Sequence, residues 1–347
     1  MLESEPVSDL SLSDSKNAGG KTELDHARPD TVVGVVIPYF QRKPGLLARA
    51  IRSALEQEGE TEDSLIIVVV DDGSPQSPAK DIETLSKAEQ ARVKVISQKN
   101  GGVSAARNTA LDAMPEEVGA IAFLDSDDAW RPQHLANARI ALRMGADFYF
   151  ADHKREGADI TRFAECSINS GSGEKMPAGS NLYCFRGDLF DTILHKSPIG
   201  TSTVVFRRAL APELRFRVEL SAGEDTLFWL SLVHRKARAM FSLNEEADYG
   251  IGVNIFAAAG WGSPTALTML ANTASFHRIV PGIFPLSAEL MAWNTSWRRR
   301  VRRDFALNFL HLLFRREKID WRSFWNFSHA EPSLLVDILA APLRRGR

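Results

Sequence analysis

Two near-continuous β-branched runs, TVVGVVIP at 31–38 and SLIIVVV at 64–70, predict an α/β fold built on a parallel sheet. A strand covered by helices on both faces reads as unbroken apolar sequence, whereas a half-exposed strand alternates. Between the two runs, apolar residues at 47, 50, 51, 54 and 55 form the stripe of a helix. Strand and helix then keep alternating to about residue 151, the order expected of successive βαβ units.

Each element has its own local signal. Pro38 is expected to stop the first strand, and a helix over 46–57 follows. The second strand runs straight into Asp71, Asp72 and Gly73. A helix over 78–90, a third strand over 93–97 and a turn at Asn100–Gly102 come next, with Ser104 placed to N-cap a helix over 105–114. A fourth strand, 120–124, ends at Asp125; a helix over 132–144 and a strand near 146–151 complete the series. Residues 1–30 are rich in Ser, Asp and Gly, lack apolar periodicity, and read as a disordered tail. Order is expected over 31–250, and a helical, basic region over 251–347.

Ligands of a parallel sheet bind beyond the carboxyl ends of its strands. Pro38–Tyr39, Asp71–Asp72, Asn100–Gly102 and Asp125–Asp127 each follow a strand directly, so all four clusters should line one edge. Asp125, Asp127 and Asp128 place three carboxylates within four residues. They repel one another unless a cation lies among them, and hard oxygen ligands suit Mg²⁺ or Mn²⁺. An acidic turn capping the next helix is the competing reading. A calcium loop is excluded, because its Gly and Glu positions, counted from Asp125, hold Trp130 and Ala136. No G-x-G-x-x-G follows the first strand and no P-loop is present, so any phosphate must be held another way.

Composition bounds the rest. The 347 residues carry 42 Lys and Arg against 44 Asp and Glu, with 44% hydrophobic and 25% charged residues. That is an ordinary globular chain with ample length for a core, and its balance argues against a nucleic-acid partner. No apolar run reaches the roughly 18 residues of a membrane span. The acidic N-terminus lacks the basic-then-apolar order of a signal peptide, and Cys166 and Cys184 fit no metal or redox spacing. Both point to a cytoplasmic protein.

The order VVIPYF, VVVDDGSP, NGGVSAARN, FLDSDD and GEDTLFWLSL resembles the family 2 glycosyltransferases of the GT-A fold, over roughly residues 32–233. The resemblance implies a Rossmann-like, nucleotide-sugar-binding sheet and a metal-assisted, inverting sugar transferase. GIGVNIF at 250–256 and VVIPYFQRKPG are similar, more narrowly, to exopolysaccharide glucosyltransferases of the succinoglycan type. That narrower likeness implies UDP-glucose as donor and a growing, lipid-linked oligosaccharide as acceptor.

Roles follow residue by residue from the resemblance. Asp125 and Asp127 match the D-x-D motif: Asp127 would ligate Mn²⁺ or Mg²⁺, and Asp125 would contact the ribose or the metal shell. Asp128, beside them, is expected only to cap the next helix. Asp72 matches the position that accepts a hydrogen bond from the base's N3–H, which fits uracil or thymine and rejects cytosine. Pro38 and Tyr39 match the loop lying along the base. Arg107, near a helix N-terminus that favours anions, matches a nucleotide or diphosphate contact. Glu224 and Asp225 open a helix; mere complementation of its dipole is the plain alternative, but the acidic pair matches the catalytic pair, with Asp225 as general base.

From Trp297 to Arg347 the character changes, with 12 Lys and Arg standing against 5 Asp and Glu. Arg298, Arg299, Arg300, Arg302 and Arg303, beside Trp297 and Phe305, suit either an inner-leaflet membrane surface or a packed helical subdomain with a solvated basic face. His153 and His195 read as packing or surface residues. Two rival functions remain: a nucleotide-sugar-binding protein without catalysis, and a nucleotidyltransferase. The latter wants a Gly-rich basic loop, where 39–45 offers only Arg42, Lys43 and Gly45.

Overall fold

Alternation along β1 (Val32–Tyr39) decides how the sheet is covered. Val33, Val35, Ile37 and Tyr39 face one side and Val36 the other, all five buried. The first side packs on α1 (Leu46–Leu55). The chain continues through β2 (Leu65–Asp71), the short helices α2 (Ala79–Glu83) and α3 (Lys87–Ala91), β3 (Val93–Ser97) and α4 (Val103–Asp112), which covers the second side. Then come β4 (Val118–Phe123), β5 (Ala129–Trp130), α5 (His134–Arg143), β6 (Phe148–Arg155), α6 (Arg162–Cys166), β7 (Gly173–Lys175), β8 (Leu182–Phe185) and α7 (Leu189–Lys196). A 3₁₀ turn at Thr201–Thr203 leads into β9 (Val205–Arg207), followed by α8 (Glu224–His234) and β10 (Ala239–Tyr249). Four helices close the chain: α9 (Pro264–Ile283), α10 (Ala288–Arg315), α11 (Trp321–Ala330) and α12 (Leu334–Ala340). This computed structural model describes residues 32–61, 64–177, 181–250 and 260–340.

Among the described residues, ten strands make one sheet in the order β3-β2-β1-β4-β9-β6-β10-β8-β7, with β5 on β10. β3, β2, β1 and β4 pair in parallel, as expected. The sheet as a whole is mixed. β9 enters antiparallel between β4 and β6, because the Gly200–Arg208 segment returns from some 80 residues away to fill that gap.

Several local expectations need correction. β1 runs through Pro38 to Tyr39, since Pro38 needs no donor there to complete the pairing opposite Val70. The helix expected over 78–90 breaks in two at Ser86, whose hydroxyl caps α3 while Glu89 returns a bond to the Ser86 N–H at 2.6 Å. Ser104 caps nothing: Gly102, at φ 88°, precedes the first turn of α4, and Ser104 is buried within it. Residues 251–256 of the GIGVNIF segment lie outside the described residues.

The C-terminal helices join the body through α9. Its first half packs with Phe305, Phe309, Phe324 and Phe327 in a separate cluster, while Phe276, Val280 and Phe284 enter the core of the sheet's second side. No helix among the described residues is long and apolar enough to cross a membrane.

Candidate active site

The carboxyl ends of β1, β2 and β4 gather the polar clusters as the parallel pairing requires. Asp72 is 3% exposed, and its carboxylate closes the loop before α4: Oδ1 accepts from Gln98 Nε2 at 2.7 Å and Gly101 N–H at 2.8 Å, Oδ2 from Gly102 N–H at 2.8 Å. A carboxylate has about four acceptor positions, so one more N–H can be taken on Oδ2. Asp71 only turns the chain, accepting from Ser74 N–H. Tyr39 corrects an expectation. Its ring is 1% exposed and belongs to the core, so it offers no face to a base; burial pushes its hydroxyl up to about 12. Pro38 is likewise buried in β1. Gln41, unremarked in the sequence, ties this loop to the acidic turn by donating to Ser126 Oγ at 3.1 Å.

The acidic turn leaves β4 with Asp125 and Asp127 partly exposed and Ser126 and Asp128 buried. Asp128 does not cap α5, as its neighbourhood had suggested. Its Oδ1 accepts from Gly250 N–H at 2.9 Å and its Oδ2 from Ser202 Oγ at 2.6 Å, pinning the turn to the end of β10. Burial, with the charges of Asp125 and Asp127 behind it, holds the Asp128 carboxyl well above the usual range. Arg49 donates to the Asp127 carbonyl at 2.7 Å from outside the turn.

Arg107 lies under this turn, 3% exposed. Its Nη2 donates to Asp125 Oδ1 at 2.8 Å and its Nη1 to Glu224 Oε1 at 3.2 Å, with the guanidinium carbon 5.2 Å from the centre of the Phe216 ring. Burial opposes the charge, but Asp125 and Glu224 outweigh it and keep Arg107 cationic. Arg107 thus bridges two carboxylates, one on the turn after β4 and one on α8. Glu224, mostly buried and next to Asp225, is pushed up to about 7 despite Arg107. Asp225 is partly exposed, its Oδ2 accepting from Thr201 Oγ1 at 3.2 Å.

Among the described residues, no three His, Cys, Asp or Glu side chains are arranged to hold a metal unaided. Mg²⁺ and Mn²⁺ sites in phosphate chemistry commonly use one or two carboxylates plus substrate oxygens. Asp125 and Asp127, partly exposed and beside a turn whose third carboxyl is already pressed toward protonation, fit that pattern.

His153 stays with packing: it stacks on Tyr249 with ring centres 4.2 Å apart, and burial drives its imidazole down to about 3. His195 lies on α7, its Nδ1 3.0 Å from the Asp191 carbonyl. Cys166 and Cys184 are free thiols.

The mixed α/β architecture is that of the GT-A glycosyltransferases, and the Asp-Ser-Asp turn beyond β4 and the acidic pair opening α8 lie on it. The family model for glycosyl transferase family 2 matches residues 34–212, and the chain belongs to that family. It is 36% identical over 273 residues to the succinoglycan biosynthesis protein ExoW of Rhizobium meliloti, covering 78% of this chain and 85% of that one. It is 22% identical over 232 residues to the putative teichuronic acid biosynthesis glycosyltransferase TuaG of Bacillus subtilis, covering 66% and 83%. The fold is similar to S. aureus TarS 1-349 in complex with UDP-GlcNAc, at TM-score 0.53 and 16% identity over 89% of this chain and 82% of that one. It is also similar to the mannosyltransferase PcManGT of Pyrobaculum calidifontis with GDP-Man and Mn²⁺, at TM-score 0.54 and 13% identity over 94% and 92%.

Proposed function

We propose that this glycosyltransferase moves glucose from UDP-glucose to a growing, lipid-linked oligosaccharide by a single inverting displacement, in exopolysaccharide synthesis. The observation that carries the reading is the convergence of Asp125, Arg107, Glu224 and Asp225 on one site from three separate elements. When bound, Mn²⁺ or Mg²⁺ at Asp127 and Asp125 would neutralise the charge that develops on a departing nucleoside diphosphate. Asp225 accepts the proton of the attacking hydroxyl, its carboxylate steered by Thr201. Asp72 takes the uracil N3–H at its remaining acceptor position. Arg107 holds the donor-side turn and the base-bearing helix in one register.

The sugar and the pathway rest on the relative named for succinoglycan biosynthesis and on the motifs around Pro38. Asp72 selects the base only. The experiment is a panel of labelled nucleotide sugars with Mn²⁺ and Mg²⁺. Release of UDP with transfer from UDP-glucose is expected. Pyrophosphate release would indicate a nucleotidyltransferase, and binding without turnover a non-catalytic protein.

A lipid-linked acceptor places the work at the inner leaflet, and the C-terminal helices are the surface that meets it. The five-arginine patch is not that surface as a whole. Arg298 is paired with Glu331 and Arg302 with Asp337, Phe305 is fully buried, and Trp297 stacks on His277 at 4.9 Å. Arg299, Arg300 and Arg303 stay exposed, as do Phe314, Trp321 and Trp325 farther along α10 and α11. Exposed aromatic and cationic side chains of this kind suit an anionic interface.

A further inference from the structure

The 3₁₀ turn Thr201–Thr203 carries none of the family's acidic motifs, yet two adjacent residues of it touch both halves of the site. Ser202 is fully buried and all its polar groups are engaged. Its Oγ accepts from Asp125 N–H at 3.0 Å and donates to Asp128 Oδ2 at 2.6 Å. Its N–H donates to Tyr249 Oη at 3.1 Å, and its carbonyl accepts from Trp130 Nε1 at 2.6 Å. Three of these four partners lie between 125 and 130, so Ser202 fixes the acidic turn at its start, middle and end. One residue earlier, Thr201 Oγ1 donates to Asp225 Oδ2 at 3.2 Å. The turn can lie this close to β10 because Gly200 has no side chain: a Cβ there would sit 2.3 Å from Tyr249 Oη.

We propose that Thr201 and Ser202 are positioning residues that set the distance and orientation of the base, Asp225, relative to the Asp125–Asp127 turn. The proposal rests on the donor and base roles given above. Thr201 reaches the base and Ser202 the donor turn, so a single peptide bond couples the two. A hydroxyl lost at Ser202 frees the backbone of Asp125 and one oxygen of Asp128, and the turn loses the shape in which its carboxylates meet a diphosphate. A hydroxyl lost at Thr201 lets the Asp225 carboxylate rotate while the donor turn keeps its bonds.

The two losses therefore separate in kinetics. With the full chain, Mn²⁺ and UDP-glucose, Ser202→Ala is expected to raise the Kd of UDP, measured calorimetrically, by about tenfold, the size of one or two hydrogen bonds. Thr201→Val is expected to leave that Kd within about twofold and to lower kcat by about tenfold or more. Thr201→Ser, which restores the hydroxyl, should recover most of the rate. Should Ser202→Ala fail to fold, Trp130→Phe removes the indole donor to the Ser202 carbonyl and should weaken UDP in the same direction. The proposal is overturned if both folded variants match the wild type. It is equally overturned if each loses binding and rate in proportion to a lowered Tm, or if Thr201→Ser restores nothing. Asp127→Ala and Asp225→Asn, assayed alongside, keep the two readings apart. If both abolish transfer while the 201 and 202 variants are unaffected, the site assignment stands and only the positioning role falls.

Discussion

Arg107 bridges Asp125 and Glu224, reaching Oδ1 of the first at 2.8 Å and Oε1 of the second at 3.2 Å. Its guanidinium comes from the second turn of α4, while the two carboxylates belong to the turn after β4 and the first turn of α8. One buried cation thereby joins the acidic turn after β4 to the start of α8.

Removing that cation leaves two carboxylates crowded with Asp225 and without their counter-charge. Arg107→Met is expected to destabilise the fold by about 3 kcal/mol or more, the usual cost of breaking a buried pair from one side. Arg107→Lys keeps the charge but has no planar fork to span both partners, so it should recover part of the stability and little of the activity. Urea unfolding read beside UDP-glucose turnover checks both. A fully active lysine variant would show that charge alone suffices.

Asp127→Ala removes a carboxylate from a turn already holding Asp125 and Asp128. Metal-dependent UDP binding should disappear. In EDTA the melting temperature should stay level or rise, because like-charge repulsion with Asp125 and Asp128 is relieved. Unchanged turnover would sink the metal assignment.

Asp225→Asn keeps the side chain's shape and its contact with Thr201 while deleting the proton acceptor. Turnover is expected to fall by about a hundredfold or more, with UDP affinity within about twofold, the mark of an effect on the chemical step. The proposed single displacement inverts the anomeric carbon, so NMR of the product should show a β-linkage from the α-donor. An α-linkage would refute single displacement.

How much of this was legible follows the range of the interactions. Asp125, Asp127, Glu224 and Asp225 are marked as candidates by local context alone, the first two in the turn after β4 and the last two opening α8. The Ser86–Glu89 capping box is equally local, yet it lies inside a stretch whose pattern reads as one helix. Ser202 and Tyr249 leave no trace, since the partners they share lie 47 to 77 residues away and nothing in TST or ADY marks them. Asp128 and Tyr39 depart from their local signals for a related reason. Local spacing makes the first a helix cap and the second a loop residue, and only burial against distant segments decides otherwise.

Membrane recruitment separates by residue. Sedimentation with anionic vesicles at low salt should pull down the wild type, and neutral vesicles should not. Arg299, Arg300 and Arg303 changed together to Gln should weaken this, each cation near an anionic surface contributing about 1 kcal/mol. Arg298→Gln and Arg302→Gln should chiefly lower the melting temperature, since those side chains hold Glu331 and Asp337. Equal sedimentation by both vesicle types would remove the electrostatic part of the reading.

Glu224 makes stability depend on pH with a definite sign. Burial first, and the Asp225 charge second, raise its carboxyl from the ordinary 4.5 to about 7, with Arg107 opposing. Between those values the folded protein retains a proton that the unfolded chain has released. Stability contributed by this proton is complete below pH 4.5 and is lost as the pH climbs to about 7, a loss of about 3 kcal/mol at most. Glu224→Gln has no proton to lose and should not show that decline. Asp128 shifts the same way but is present in both proteins, so it cancels in the difference. Urea unfolding in EDTA at pH 5, 6, 7 and 8 supplies the comparison. The wild type should lose ground to Glu224→Gln steadily from pH 5 to pH 7 and no further above it. Parallel curves for the two proteins would mean that Glu224 is already ionised at pH 5, held so by Arg107 against its burial.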